Sequence, residues 1–211
     1  MITIDVDLSM SKRIVNKILK RFEVKSIPTN EDVVFLTFDD GPEKGITEFV
    51  LEELDEYDFK ATFFCRGDNA ENHPELFMML KQKGHSVGNH TFGHFHAYNT
   101  STNNYLNDVE RANSLLHTTL FRPPHGSLTL RTWLKLHRKY KIIYWAINSE
   151  DSAKEKYDFT HAIDNLKKNT KKGNVILFHF CLKHERETRE LLPMYLKWLH
   201  EQGYRSKAIS F

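Results

Sequence analysis

Two adjacent carboxylates, Asp39 and Asp40, close an apolar run over residues 33–38, and Gly41-Pro42 ends it. A strand alternates its side chains between faces, so neighbours at its end point in different directions and can hold different jobs. Two acids this close crowd each other and raise one pKa. A metal ion bound by one resolves the conflict and leaves the other for proton transfer. The same residues also make an ordinary acidic turn, since Asp-Gly-Pro is common turn chemistry. His90 and His94 tip the balance. Spaced i and i+4, they can share one face of a helical turn and bind one ion. The chain has 12 histidines, so close pairs also arise by chance, and His94 with His96 is another. His90 and His94, however, follow a short strand-like segment, as Asp40 does. Ligands at the carboxyl ends of successive strands converge in an α/β barrel. One Asp and two His leave an open coordination position, the pattern of a catalytic metal site.

Further groups fall at strand ends. Arg122-Pro123-Pro124-His125-Gly126 offers a fixed cation that can hold a carboxylate ionised, in a loop stiffened by prolines. Its alternative is a plain strand-to-helix turn. Asp151, in the loop 148–152, can orient a histidine or pair with Arg122; taken alone, the loop reads as merely polar. His179 ends an apolar strand. At the barrel end that carries the metal ligands it becomes a candidate proton donor.

These residues need a scaffold of alternating elements. Strand patterns fall at 33–38, 61–65, 85–89, 119–122, 141–147, 174–179 and 204–209. Helical patterns fall at 46–57, 74–83, 102–117, 128–139, 158–170 and 186–202. Thr102 caps the third helix, and Gly84, Gly173 and Gly203 follow helices. Alternating β and α implies a parallel sheet, and seven βα steps predict a closed or nearly closed (β/α)7-type barrel, with an open doubly wound sheet as the alternative. Residues 1–30 form an N-terminal extension, with a basic amphipathic helix over 10–22 that packs on the domain or touches an anionic membrane surface. Residues 31–211 form the catalytic domain.

Bulk properties narrow the classes. A length of 211 residues suits one domain with a core. Hydrophobic residues at 40% and charged residues at 27% are ordinary for a globular protein. A net charge of +2 argues against nucleic-acid binding. No apolar run reaches the length of a membrane span, and residues 1–10 lack the apolar core of a signal peptide, which sets a cytoplasmic location as the expectation. Cys65 and Cys181 read as unlinked cysteines of a reducing compartment. The chain is taken as a monomer.

In order and character, residues 37–42, 90–94, 122–126, Asp151 and 177–179 resemble the polysaccharide deacetylase family, also called carbohydrate esterase family 4 or the NodB homology domain. The resemblance spans residues 33–210. It implies a distorted (β/α) barrel and hydrolysis of N- or O-acetyl groups on amino-sugar polymers with one divalent metal, here Zn2+, with Co2+, Ni2+ or Mn2+ as substitutes. It implies Asp39 as general base, Asp40, His90 and His94 as metal ligands, and Arg122 as the partner of Asp39. The His125 backbone amide would serve an oxyanion hole, and His179 would be the general acid, oriented by Asp151. His125, Asn148, Ser152 and Phe180 stand where the family often has an aromatic, Asp, Trp and Asp, which implies altered sugar contacts with the chemistry kept. The competing functions are a deformylase or deacetylase of a lipid-linked amino sugar and a non-catalytic glycan-binding protein.

Overall fold

A computed structural model describes residues 22–153 and 157–211. The elements run β1 (Val33–Asp39), α1 (Ile46–Glu56), β2 (Thr62–Cys65), α2 (Gly67–Asn72), α3 (Pro74–Gln82), β3 (Ser86–Asn89), α4 (Thr102–Leu116), β4 (Leu120–Phe121), α5 (Leu130–Leu136), β5 (Lys141–Ile142), β6 (Ile147–Asn148), α6 (Phe159–Asn169), β7 (Val175–His179), α7 (Glu185–Glu201) and β8 (Arg205–Ser206). Single 3-10 turns cover Pro124–Gly126 and Leu182–His184.

The sheet runs β5-β4-β3-β2-β1-β7-β6, all parallel, with β8 beside the start of β1. It curls into a half-barrel, the architecture expected from the alternation. β1 is central, and all seven of its residues are buried. A strand covered on both faces needs a continuous apolar run rather than an alternating one, which is what residues 33–38 supply. Phe38 stacks on Phe63 and contacts Phe178 and Phe180, tying β1, β2 and β7 together.

The expected strand 141–147 is two strands on opposite edges of the sheet. Ile143 N–H donates to Phe121 O beside β4, and Ala146 N–H donates to Val175 O beside β7. The chain thus crosses the gap between the edges within a few residues, which no local pattern records. Residues 24–27 cover the same gap: Tyr144 N–H donates to Val24 O, Val175 N–H to Lys25 O, and Ile27 N–H to Gly173 O. The basic helix expected over 10–22 lies outside the described residues apart from Phe22. Ser101, rather than Thr102, caps α4, with its hydroxyl accepting from Asn104 N–H. The short helix α2 was not expected from sequence. No helix among the described residues is long and apolar enough to cross a membrane. Cys65 and Cys181 are both free thiols.

Candidate active site

The carboxyl ends of β1, β3, β4, β6 and β7 meet at one cavity of about 310 Å3, lined among others by Asp39, Asp40, His90, His94, His125 and His179. Asp39 is the last residue of β1 and is 3% exposed. Arg122, just past β4 and fully buried, donates from Nη1 to Asp39 Oδ1 at 2.7 Å and to Thr37 Oγ1 at 2.8 Å. Nε donates to Ile143 O at 3.2 Å, Nη2 donates to Tyr144 O at 3.0 Å, and the guanidinium lies over the Phe64 ring. With its donors shared out this way, Arg122 has one orientation, and Asp39 is its carboxylate. Asp151 is elsewhere, so of the two sequence alternatives for that residue the histidine is the one realised.

Strand alternation would turn Asp40 away from Asp39. It does not, because Asp40 has φ 83°, a left-handed backbone that swings its side chain back into the same cavity. A non-glycine residue there costs about 1–2 kcal/mol, so the surroundings must hold it. Gly41 permits the turn by close approach: a Cβ there would sit 2.4 Å from the Phe180 ring and 2.6 Å from the Phe180 carbonyl oxygen.

His90 and His94 are not on a helical turn. They lie on an irregular loop in which Thr91 and His94 have φ 63° and 57°. The loop is fixed by hydrogen bonds: Asn89 Oδ1 accepts from Thr91 N–H, Thr91 Oγ1 from His94 N–H, and the Asp108 carboxylate from Phe92 and Gly93 N–H. His90 Nε2 and His94 Nε2 lie 3.5 and 3.1 Å from Asp40 Oδ1. One ligand atom from each of Asp40, His90 and His94 lies within 4.8 Å of the others.

These three residues fit a cation. His90 Nδ1 faces the Arg122 carbonyl oxygen at 2.8 Å. That oxygen only accepts, so the proton sits on Nδ1 and the Nε2 lone pair faces the carboxylate. Asp40 Oδ1 is buried and has no hydrogen-bond partner among the described residues. Lone pairs pointing at one another are repulsive unless a positive ion lies between them, and a ligating histidine typically donates its other ring N–H in this way. Burial pushes His90 down to about 4, against the pull of Asp39 and Asp40, so the ring is neutral. Burial opposes charge on Asp40, but the neighbouring His94 and His179 outweigh it and hold the carboxyl well below the usual range. His96, the other sequence partner of His94, is not in the cluster; its ring stacks on His125 and its Nδ1 accepts from Tyr98 N–H.

His179 ends β7 directly beside Asp39, its register partner. Its Nδ1 donates to Asp151 Oδ1 at 2.7 Å, its backbone N–H donates to Asp151 Oδ2 at 2.7 Å, and Thr188 Oγ1 donates to the same Oδ2. Burial lowers the His179 pKa, but Asp151 outweighs it and raises the imidazole to about 9. Asp151 is 1% exposed, which leaves its charge little solvent to screen it. His125 lines the cavity with φ 58°, and its ring meets His94 edge-on.

All eight residues expected from sequence gather at this cavity or directly behind it. Sequence reasoning gave no role to Thr37, Thr188, Asp108, Trp145, Lys183 or His184. Thr37 sits inside the acidic motif and was the one with a visible signal. The others depend on which helix packs where.

The family model described as polysaccharide deacetylase matches residues 26–145. A peptidoglycan-N-acetylglucosamine deacetylase of Bacillus cereus is 30% identical over 190 residues, 87% of this chain and 89% of the relative. The peptidoglycan-N-acetylmuramic acid deacetylase PdaC of Bacillus subtilis is 27% identical over 97% of this chain, which spans 45% of that protein. Among solved structures, the Bc1960 peptidoglycan N-acetylglucosamine deacetylase, bound to 4-naphthalen-1-yl-N-oxidanyl-benzamide, superposes with TM-score 0.82 at 26% identity, covering 91% of this chain and 92% of its own. A pseudoenzyme of Bacillus anthracis shares the fold, with TM-score 0.75 at 23% identity, covering 88% of this chain and 66% of its own. The match in sequence and in architecture places this chain in the polysaccharide deacetylase family.

Proposed function

We propose that this protein is a metal-dependent hydrolase that removes N-acetyl groups from an amino-sugar glycan of the peptidoglycan type. Because the fold also occurs in a pseudoenzyme, the fold alone does not carry this reading. The observation that carries it is the joint presence in one cavity of a convergent Asp40-His90-His94 set, a carboxylate paired with Arg122, and an imidazole raised by a buried carboxylate. Two imidazoles and one carboxylate suit zinc, with cobalt, nickel or manganese as substitutes. The ion held there would polarise the acetyl carbonyl and lower the pKa of water towards about 7.

The remaining work falls to the chain's own groups. Asp39, kept in place by Arg122, takes the proton of the attacking water. The resemblance assigns the His125 backbone N–H to the developing oxyanion; one such donor is typically worth about 3–4 kcal/mol. Asp151 keeps the His179 ring as the imidazolium; with Nδ1–H committed to Asp151, the second ring proton sits on Nε2. It delivers that proton to the departing amine, which is a poor leaving group without it. The glycan class comes from the named activities of the relatives.

The test is acetate release from N-acetylated peptidoglycan fragments and chitooligosaccharides by protein loaded with one equivalent of zinc, with a chelated control. Acetate release that disappears with the metal and returns on reloading supports the reading. Stoichiometric zinc without acetate from any of these glycans refutes it, and formate release from a formylated, lipid-linked amino sugar would redirect it to the deformylase alternative.

A further inference from the structure

Asp40 needs a left-handed backbone to share the cavity with Asp39, and glycine's freedom is not available to a residue that must supply a carboxylate. Its peptide is gripped from both sides. Asp40 N–H donates to Phe64 O at 3.3 Å, and Asp40 O accepts from Asn69 Nδ2 at 2.7 Å. Asn69 lies on α2, the helix that strand patterning missed. Its Nδ2 also donates to Glu43 Oε1 at 3.2 Å. Both oxygens only accept, so the Asn69 amide has one orientation. The second Glu43 oxygen accepts from Leu182 N–H at 2.6 Å, in the turn after β7 that carries Lys183 and His184 to the cavity wall. Arg66 N–H donates to Gly41 O at 3.0 Å and holds the next peptide.

We infer that Asn69 and Glu43 are positioning residues. They form a brace that holds the Asp40 backbone left-handed, and so sets the affinity of the Asp40-His90-His94 site for its ion. The inference rests on the metal reading given above. Neither side chain lines the cavity, so neither touches ion or substrate, and both act through the Asp40 peptide and the 182–184 turn. Asn69 also ends the chain of contacts: without it, the Asp40 carbonyl loses its donor and Glu43 keeps only Leu182 N–H. Glutamine at 43 cannot replace the carboxylate. One of its ends must face Asn69 Nδ2 or Leu182 N–H with a second donor.

The test measures zinc dissociation constants by competition with a fluorescent chelator on the full chain, for the parent, Asn69→Ala and Glu43→Gln, together with thermal melting of each metal-free protein. Outer partners of metal ligands typically change affinity about 10–100-fold. Asn69→Ala is expected to weaken zinc by about that range, and Glu43→Gln by less. The double variant should lose less than the sum of the two single losses, because the two share the Asn69–Glu43 contact. Metal-free melting should stay near the parent value for Asn69→Ala. A lower metal-free melting temperature with unchanged zinc affinity would identify a purely structural role and overturn the inference, as would additive losses in the double variant. A parent that binds no zinc sinks the metal reading as well. A parent that binds zinc and releases acetate, beside an Asn69→Ala variant of equal affinity, sinks the brace alone.

Discussion

Asp151→Asn provides a quantitative handle on the buried pair behind the cavity. In the folded protein His179 is raised from 6.5 to about 9, with burial working against the shift and Asp151 driving it. At about 1.36 kcal/mol for each tenfold change in proton affinity, the raised imidazole contributes about 3 kcal/mol of stability. A folded pKa above the unfolded one means that this contribution is complete below about pH 6.5 and is lost as pH rises through about 9. In Asp151→Asn the largest favourable partner is gone, burial remains, and only the weaker pull of Asp40 and Asp39 still favours the charged ring, so most of this contribution is lost in the variant. The difference in unfolding free energy between parent and variant should therefore shrink between pH 6 and pH 9.5, by up to about 3 kcal/mol. Urea unfolding in chelator, at several pH values, reads this directly. All other titrating groups are shared and cancel, and the hydrogen bonds that the introduced amide keeps or loses to Thr188 and to the His179 N–H give a constant offset. A stability difference that does not vary with pH would refute the reasoning, because it would mean that His179 and Asp151 are not electrostatically coupled. A direct imidazole titration by NMR should show the same fall.

Other outcomes follow from the same geometry. Asp39→Asn should keep metal affinity near the parent value and lower turnover by at least about a hundredfold, the range of a lost general base, whereas Asp40→Asn should weaken the metal and be partly restored by excess; equal metal loss in both would refute the division of labour. His179→Ala should lose most activity on amides and much less on an activated acetate ester, whose leaving group needs little protonation; parallel losses with the metal retained would make its role positional. Arg122→Met should cost about 3–5 kcal/mol in denaturant unfolding, since it strands a buried carboxylate, and a loss under about 1 kcal/mol would show that Asp39 is solvated. Gly41→Ala should destabilise by about 1–3 kcal/mol through forced repacking against Phe180, checked by thermal melting; an unchanged melting temperature would show that the turn yields easily.

The sequence by itself determined the parallel βα alternation and singled out, at strand ends, the eight residues that gather at the cavity. Those features are local: apolar runs of strand length, helical periodicity, and acidic or histidine pairs read directly along the chain. Tertiary structure decided how the residues act together. Asp151 and Asp39 are both carboxylates, and Arg122 and His179 are both potential cations; which pairs with which depends on the registers of β1, β4 and β7, not on spacing. Asp39 and Asp40 were expected to face apart, and a left-handed backbone at Asp40 brings them together, because Asn69 on α2, Phe64 on β2 and the close contact of Gly41 with Phe180, just past β7, restrain the turn. His90 and His94 converge without a helix, because Asp108 on α4 and the side chains of Asn89 and Thr91 hold their loop. Residues 141–147 carry one strand pattern but pair with β4 at one end and β7 at the other, since the curl of the whole sheet brings its two edges within a few residues of each other. Alternation and periodicity report what a segment prefers on its own, whereas a bent turn or a chosen ion pair is fixed by partners distant in the chain, and those partners leave no mark on the segment itself.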